Sequence, residues 1–183
     1  MSISSADNKI KLPNLLLIAG NGRNVGKTFL ACSIIKQLSQ KIPVCGLKIT
    51  PHFHPFNQED LLFQNNDIII LEEKQHTQKD SSLMLRAGAG RVLFVMTKKD
   101  ALETSIKQLL PFLPNGAIVC ESGGLHNYIK PGLFLFVNLY NREIQKKDWQ
   151  NDHPVYIHNN RKSFDFDIDR IEFSNQEFKL KHE

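Results

Sequence analysis

A chain of 183 residues and 21.0 kDa is long enough for one ordinary α/β domain and too short for two. With 41% hydrophobic and 23% charged residues and only three cysteines, the composition excludes a disordered chain and a disulfide-stapled scaffold. The net charge of +4, with no Lys/Arg block and no interleaved aromatics, suits a polyphosphate ligand better than a nucleic-acid track. Met1 to Asn14 is polar and the first apolar run, Leu15–Ala19, is too short to span a bilayer, so neither a leader nor a membrane segment is expected. Cys32, Cys45 and Cys120 form no CxxC pair and lie in apolar stretches, which reads as buried reduced thiols in a cytoplasmic protein.

In chain order, residues 1–13 read as a flexible N-terminus and Leu15–Ala19 as the first strand. A helix opens at Lys27, with Phe29, Leu30, Ile34 and Leu38 at helical spacing. Strands follow at Val44–Ile49 and Ile68–Leu71, a helix at Ser81–Ala87, and a strand at Val92–Met96. A helix at Ala101–Leu110 stops at Pro111, and strands at Ala117–Cys120, Leu133–Asn138 and Val155–His158 complete the series. Continuous apolar strands between amphipathic helices predict a mostly parallel sheet covered on both faces. In the tail, residues 160–183, Phe164, Phe166 and Ile168 alternate with Asp165, Asp167 and Asp169, which predicts edge strands or a final hairpin. One domain over 1–183 is expected.

The segment Asn21-Gly22-Arg23-Asn24-Val25-Gly26-Lys27-Thr28 follows the first strand and opens the first helix, the setting a Walker A phosphate loop needs. Gly22 and Gly26 let successive N–H groups turn inward around phosphate, and the helix start at Lys27–Phe29 adds its positive dipole end. Lys27 would reach the β- and γ-phosphates and Thr28 would ligate Mg²⁺. Asn21 stands where glycine is usual, and as an asparagine it tolerates left-handed backbone angles. These residues predict the P-loop NTPase sandwich. Glu121 ends an apolar strand, as a Walker B carboxylate would, and Gly123-Gly124 behind it allows close approach of a ligand. Lys48 ends the second strand, where the ligand crevice of such sheets lies. His52 and His54 alternate on an extended segment and read either as a substrate-side loop or as plain surface; two histidines alone make no zinc site. Asp80 reads either as a helix N-cap or as a metal or phosphate contact. Thr97-Lys98-Lys99-Asp100 has the composition of a guanine-reading motif, or of an ordinary charged helix start.

Two further stretches, Gly46-Leu47-Lys48-Ile49-Thr50-Pro51-His52-Phe53-His54 and Lys79-Asp80-Ser81 followed by Ala87-Gly88-Ala89, complete an order that resembles the MobB family of molybdopterin-guanine dinucleotide biosynthesis proteins over residues 14–125. The chain departs from that pattern at Gln78, at Ile49 and at Glu121-Ser122-Gly123-Gly124. The resemblance implies a Mg-dependent GTP-binding protein with weak GTP hydrolysis, an accessory in molybdenum cofactor synthesis, and a molybdopterin nucleotidyltransferase as partner. It raises Asp80 to a metal or phosphate contact beside Thr28 and Glu121; Lys27, from the phosphate loop, and Glu121, from its place at a strand end, are the expected catalytic residues. The alternative is an ATP-dependent kinase or ligase for a small acid, similar to dethiobiotin synthetase, for which Glu121-Ser122-Gly123-Gly124 is suggestive. A nucleoside triphosphate (GTP or ATP) with Mg²⁺, and a homodimer for self-association, are the expected ligands and assembly; neither nucleic acid nor membrane is expected.

Overall fold

A computed structural model describes residues 9–140, 142–144 and 152–181. Leu15–Ala19 lie at the centre of a longer strand β1, Ile10–Gly20, in which every residue from Leu15 to Ala19 is buried. Leu16 and Ile18 enter the core on one face and Leu15, Leu17 and Ala19 the core on the other. A run that is apolar at every position is what a strand covered on both faces requires. The Asn21–Thr28 segment leads into helix α1, Lys27–Leu38, and then come β2 (Val44–Thr50), β3 (Leu61–Gln64), β4 (Ile68–Glu72) and helix α2 (Asp80–Arg86). They are followed by β5 (Arg91–Thr97), helix α3 (Leu102–Leu109), β6 (Ala117–Glu121), β7 (Ile129–Leu139) and β8 (Val155–Asn159). A hairpin of β9 (Ile171–Ser174) and β10 (Glu177–Leu180) ends the described chain.

Eight strands form one sheet in the order β3-β4-β5-β2-β6-β1-β7-β8. The pairings among β1, β2, β5, β6, β7 and β8 are all parallel, while β3–β4 and β4–β5 are antiparallel. The chain is therefore a mixed α/β domain with a large, mostly parallel sheet. Leu30, Ala31 and Ile34 of α1 and Met84 of α2 pack on one face, together with Phe178 of the hairpin. Ile106 and Leu109 of α3 pack on the other. The six parallel strands share one C-terminal edge, where Gly20, Thr50, Thr97, Glu121, Leu139 and Asn159 come to lie.

Four expectations need correction. The N-terminus expected to be flexible over residues 1–13 is strand from Ile10 onward; residues 1–8 lie outside the described residues. Lys11 and Pro13 hide this strand in the sequence, yet Ile10–Leu12 pair with Ile129–Pro131, and a register shift before Leu16 accommodates the proline. Phe29 is not on the buried stripe of α1: it is 69% exposed, one residue ahead of Leu30 and about 100° around the helix, and stacks on Phe164 at 5.9 Å. The alternation from Phe164 to Asp169 is not a strand of the sheet. Phe164, Phe166 and Ile168 do pack against the α1-side core, but through an irregular segment with a single bridge, Asn159–Phe164, and a 3-10 turn at Ile168–Arg170. The tail forms no edge of the main sheet, whereas the alternative of a final hairpin holds, as the separate two-stranded sheet β9–β10; residues 182–183 lie outside the described residues.

Candidate functional site

The loop between β1 and α1 has left-handed backbone at Gly22 (φ 96°), Asn24 (φ 58°) and Gly26 (φ 100°). Gly26 needs its missing side chain twice over, because a Cβ there would also run into the Asn159 amide nitrogen and lie 3.2 Å from the Phe164 ring. Asn21 does not use the left-handed tolerance of asparagine, which falls instead to Asn24. Asn21 is 7% exposed, and its Nδ2 donates to Asn138 Oδ1 (3.0 Å) and to the Glu143 carbonyl (2.8 Å). A glycine could not make these bonds, so the unusual first residue ties the loop to the end of β7. Val25 is buried beneath the loop, and its carbonyl accepts from Asn159 Nδ2 at 3.0 Å.

The register of the sheet assembles the polar groups. Glu121 on β6 pairs with Ile18 of β1 on one side and Lys48 of β2 on the other, so the last residue of one strand meets a lysine directly across. Lys48 Nζ lies 2.7 Å from Glu121 Oε1 and 2.7 Å from Asp80 Oδ2. Thr28 Oγ1, in the first turn of α1, donates to Glu121 Oε2 at 2.8 Å. Lys27 Nζ folds back onto the Gly22 carbonyl at 2.6 Å, across the mouth of the loop. Glu121 is 3% exposed, so it is not a strand-end charge in solvent. Asp80 is the first residue of α2 rather than its cap: the N-cap is Lys79, and the Asp80 carboxylate is spent on Lys48.

Burial lowers the pKa of Lys27, and the nearby Lys48 charge adds to this; Glu121 and Asp80 oppose it without cancelling it. Burial also disfavours the charge on Lys48, but the Glu121 charge and the hydrogen bonds to Asp80 and Glu121 outweigh it and raise its pKa. Burial pushes the Cys32 and Cys45 thiols up to about 11 and raises Cys120 well above the ordinary thiol value, so all three are inert as nucleophiles near neutral pH.

These groups open into a cleft of about 1020 Å³ at the C-terminal edge of the sheet. Gly22, Arg23, Asn24, Gly26, Lys27, Thr28 and Phe29 line it from the loop side, and Lys48, Asp80 and Glu121 face them. Among the expected binding residues, Val25 alone stays out of the lining. His52 and His54 line the cleft as well; His52 Nε2 lies 2.6 Å from an Arg23 guanidinium nitrogen, and the His54 ring sits over Phe94 at 6.4 Å between centroids. Thr28 and the two carboxylates offer the hard oxygen set that Mg²⁺ takes together with waters and phosphate oxygens. Among the described residues no group of three or more His, Cys, Asp or Glu stands ready to hold a metal, so such an ion would depend on phosphate oxygens to fill its shell.

Thr97–Asp100 lies at the end of β5, three strands from β1 and about 14 Å away at ordinary strand spacing. Thr97 is buried, and Lys98 pairs with Asp67 at 2.5 Å. Lys99 reaches the lining of the cleft at its far side from the loop.

Two contributors were not visible in the sequence. Arg142, after β7, donates to the Asn21 carbonyl at 3.3 Å and lies 3.5 Å from where a Cβ on Gly22 would be. Asn159, at the end of β8, holds the loop through Val25. Among the described residues no helix is long and apolar enough to cross a membrane. No protein-family model, no curated protein and no solved structure matches the chain.

Proposed function

We propose that the chain binds a nucleoside triphosphate with Mg²⁺ in the cleft beside Gly22–Thr28, with GTP as the nucleotide and slow hydrolysis as its intrinsic chemistry. The observation that carries this reading is the convergence of Lys27, Thr28, Lys48, Asp80 and Glu121, from four separate elements, around one loop at the C-terminal edge of the sheet. In this reading the phosphates displace Lys27 from the Gly22 carbonyl and take its ammonium, while the N–H groups of the loop and the start of α1 receive their oxygens. Thr28 and Glu121 would hold Mg²⁺, which when bound neutralises charge on the β- and γ-phosphates. Glu121 would also orient the attacking water. The resemblance of Gly46–His54 and Lys79–Ala89 to the MobB family supports an accessory role in molybdenum cofactor guanine-dinucleotide synthesis, with a molybdopterin nucleotidyltransferase as the partner.

A second reading, an ATP-dependent kinase or ligase acting on a small acid, is favoured by one observation. Lys79, Lys99 and His54 line the cleft beyond Lys48, where an anionic acceptor would approach the γ-phosphate. Thermal melts with GTP and ATP, with and without Mg²⁺, test the first reading, because a ligand at a hundredfold excess over its Kd stabilises the native state by about 2.7 kcal/mol. A melting temperature indifferent to every triphosphate removes it. Hydrolysis that rises with a small carboxylic acid and not with the partner protein selects the second.

A further inference from the structure

A second cleft, of about 860 Å³, opens on the other flank of the phosphate loop, between the ends of β7 and β8. Arg23, Asn24 and Arg142 line both clefts, so the two meet around the loop itself. The rest of the second wall is Leu139, Tyr140 and Asn159-Asn160-Arg161. It holds three guanidinium groups and, among the described residues, no carboxylate. Two of its three asparagine oxygens are engaged: Asn159 Oδ1 accepts from the Arg161 N–H at 2.7 Å, and Asn160 Oδ1 from the N–H groups of Lys162 (2.9 Å) and Ser163 (2.8 Å). These turns hold Arg161 with left-handed backbone, φ 74°. Tyr140 is 65% exposed, and its N–H donates to the Asn159 carbonyl at 2.9 Å, which ties the two strand ends together. The cleft thus offers a ring to stack on and side chains that predominantly donate.

We infer that this cleft takes the guanine base of the nucleotide and reads its O6/N7 edge with arginine, Arg161 foremost, rather than its N1/N2 edge with a carboxylate. The inference rests on the triphosphate reading above, since only a ligand anchored in the loop would extend a base around Arg23 and Arg142. Guanine presents two adjacent acceptors, O6 and N7, which match a guanidinium fork; adenine presents N7 beside an N6 donor, which would face another donor here. Tyr140 supplies the stacking surface, a contact that every base accepts and that carries no discrimination. Thr97–Asp100, the stretch whose composition suggests base reading, lies on the far side of the sheet from this cleft.

Affinities of GTP, ITP, 7-deaza-GTP and ATP, measured with Mg²⁺ by calorimetry, test it. ITP keeps O6 and N7 and lacks only the 2-amino group, so it binds within about threefold of GTP; 7-deaza-GTP loses one acceptor and binds about five- to tenfold more weakly; ATP binds at least tenfold more weakly. Arg161→Asn, which suits a left-handed backbone and removes the guanidinium, closes the gap between GTP and ATP. ITP binding weakly while 7-deaza-GTP matches GTP would put the reading on the N1/N2 edge and overturn the inference. Equal affinity for all four, with Arg161→Asn weakening each alike, would make the cleft an anion contact and overturn it while leaving triphosphate binding intact. No binding of any triphosphate overturns both proposals.

Discussion

Lys48 spends one ammonium on two carboxylates, and the consequences differ on its two sides. Glu121 is 3% exposed, so Lys48→Met would strand a buried carboxylate, a change that costs about 3–5 kcal/mol when a buried pair is broken. The expected outcome is a lower melting temperature that Mg²⁺ alone partly restores, because the ion supplies the missing positive charge; an unchanged melting temperature would mean that the pair contributes nothing. Lys27 behaves in the opposite sense. Its folded-state pKa is lowered, chiefly by burial, so folding disfavours its charged form at every pH below the lowered value and is relieved of that cost above the ordinary value of 10.5. A bound phosphate reverses the shift. Triphosphate affinity therefore falls as the pH rises through the lowered pKa, and binding there takes up a proton, which calorimetry in two buffers of different ionisation enthalpy detects. Lys27→Ala should abolish that proton uptake and weaken binding at least tenfold. Its apo melting temperature should not fall below that of the unsubstituted protein, since among the described residues the Lys27 ammonium bonds only the Gly22 carbonyl and its burial disfavours the charge. Unaltered affinity in a folded Lys27→Ala protein would remove the phosphate-loop reading.

The β1–loop–α1 element does not stand alone: the ends of β7 and β8 hold it in shape through Asn138 and Asn159. Gly26→Ala tests this coupling, because the new methyl group meets both a left-handed φ and the Asn159 amide. The expected result is a loss of triphosphate affinity of at least tenfold, with a stability cost of about 1–3 kcal/mol. Full affinity in the variant would show that the loop does not need its clamp. This clamp also marks the limit of what the sequence discloses. Lys27, Thr28, Lys48 and Glu121 announce themselves because each sits next to an apolar run whose identity as strand or helix is local information. Asn159 and Arg142 do not, since they reach the loop only because β7 and β8 lie on the far side of β1 from β6, and strand order is not written in any local pattern. The short β3 was hidden for a different reason. Leu61–Gln64 is four residues at a sheet edge, with no alternation to distinguish it from loop, and it is held in register by a turn in which Asn65 Oδ1 accepts from Asp67 and Ile68. The aromatic–aspartate alternation after Asn160 misled because exposure can alternate without a ladder, when bulky side chains of an irregular segment wedge against a helix.

At the scale of the whole molecule, the sheet separates its two larger cores, and the final hairpin belongs to the one beneath α1. Phe178 on β10 is fully buried there, against Phe173 at 4.8 Å between ring centroids. Gly132 of β7 is what lets the hairpin in: a Cβ at that position would overlap the Pro13 carbonyl and sit 2.9 Å from the Phe178 carbonyl oxygen, so the hairpin backbone rests directly on the sheet. If the hairpin is part of one cooperative core, Phe178→Ala removes a side chain from the middle of it and costs about 3–5 kcal/mol, which for a chain of this length lowers the melting temperature by roughly 10 °C. The transition should remain single, because the strands that Phe178 touches, β1 and β7, are shared by both cores. Pro13 and Gly20 are seven residues apart on β1, about 23 Å at strand rise, so the damage lies at the opposite end of that strand from the Asn21–Thr28 loop. Triphosphate affinity measured well below the new midpoint should accordingly change by less than about threefold. Two resolved transitions, with the hairpin melting first and the sheet unaffected, would show instead that β9–β10 is an appendage and that the core beneath α1 closes without it.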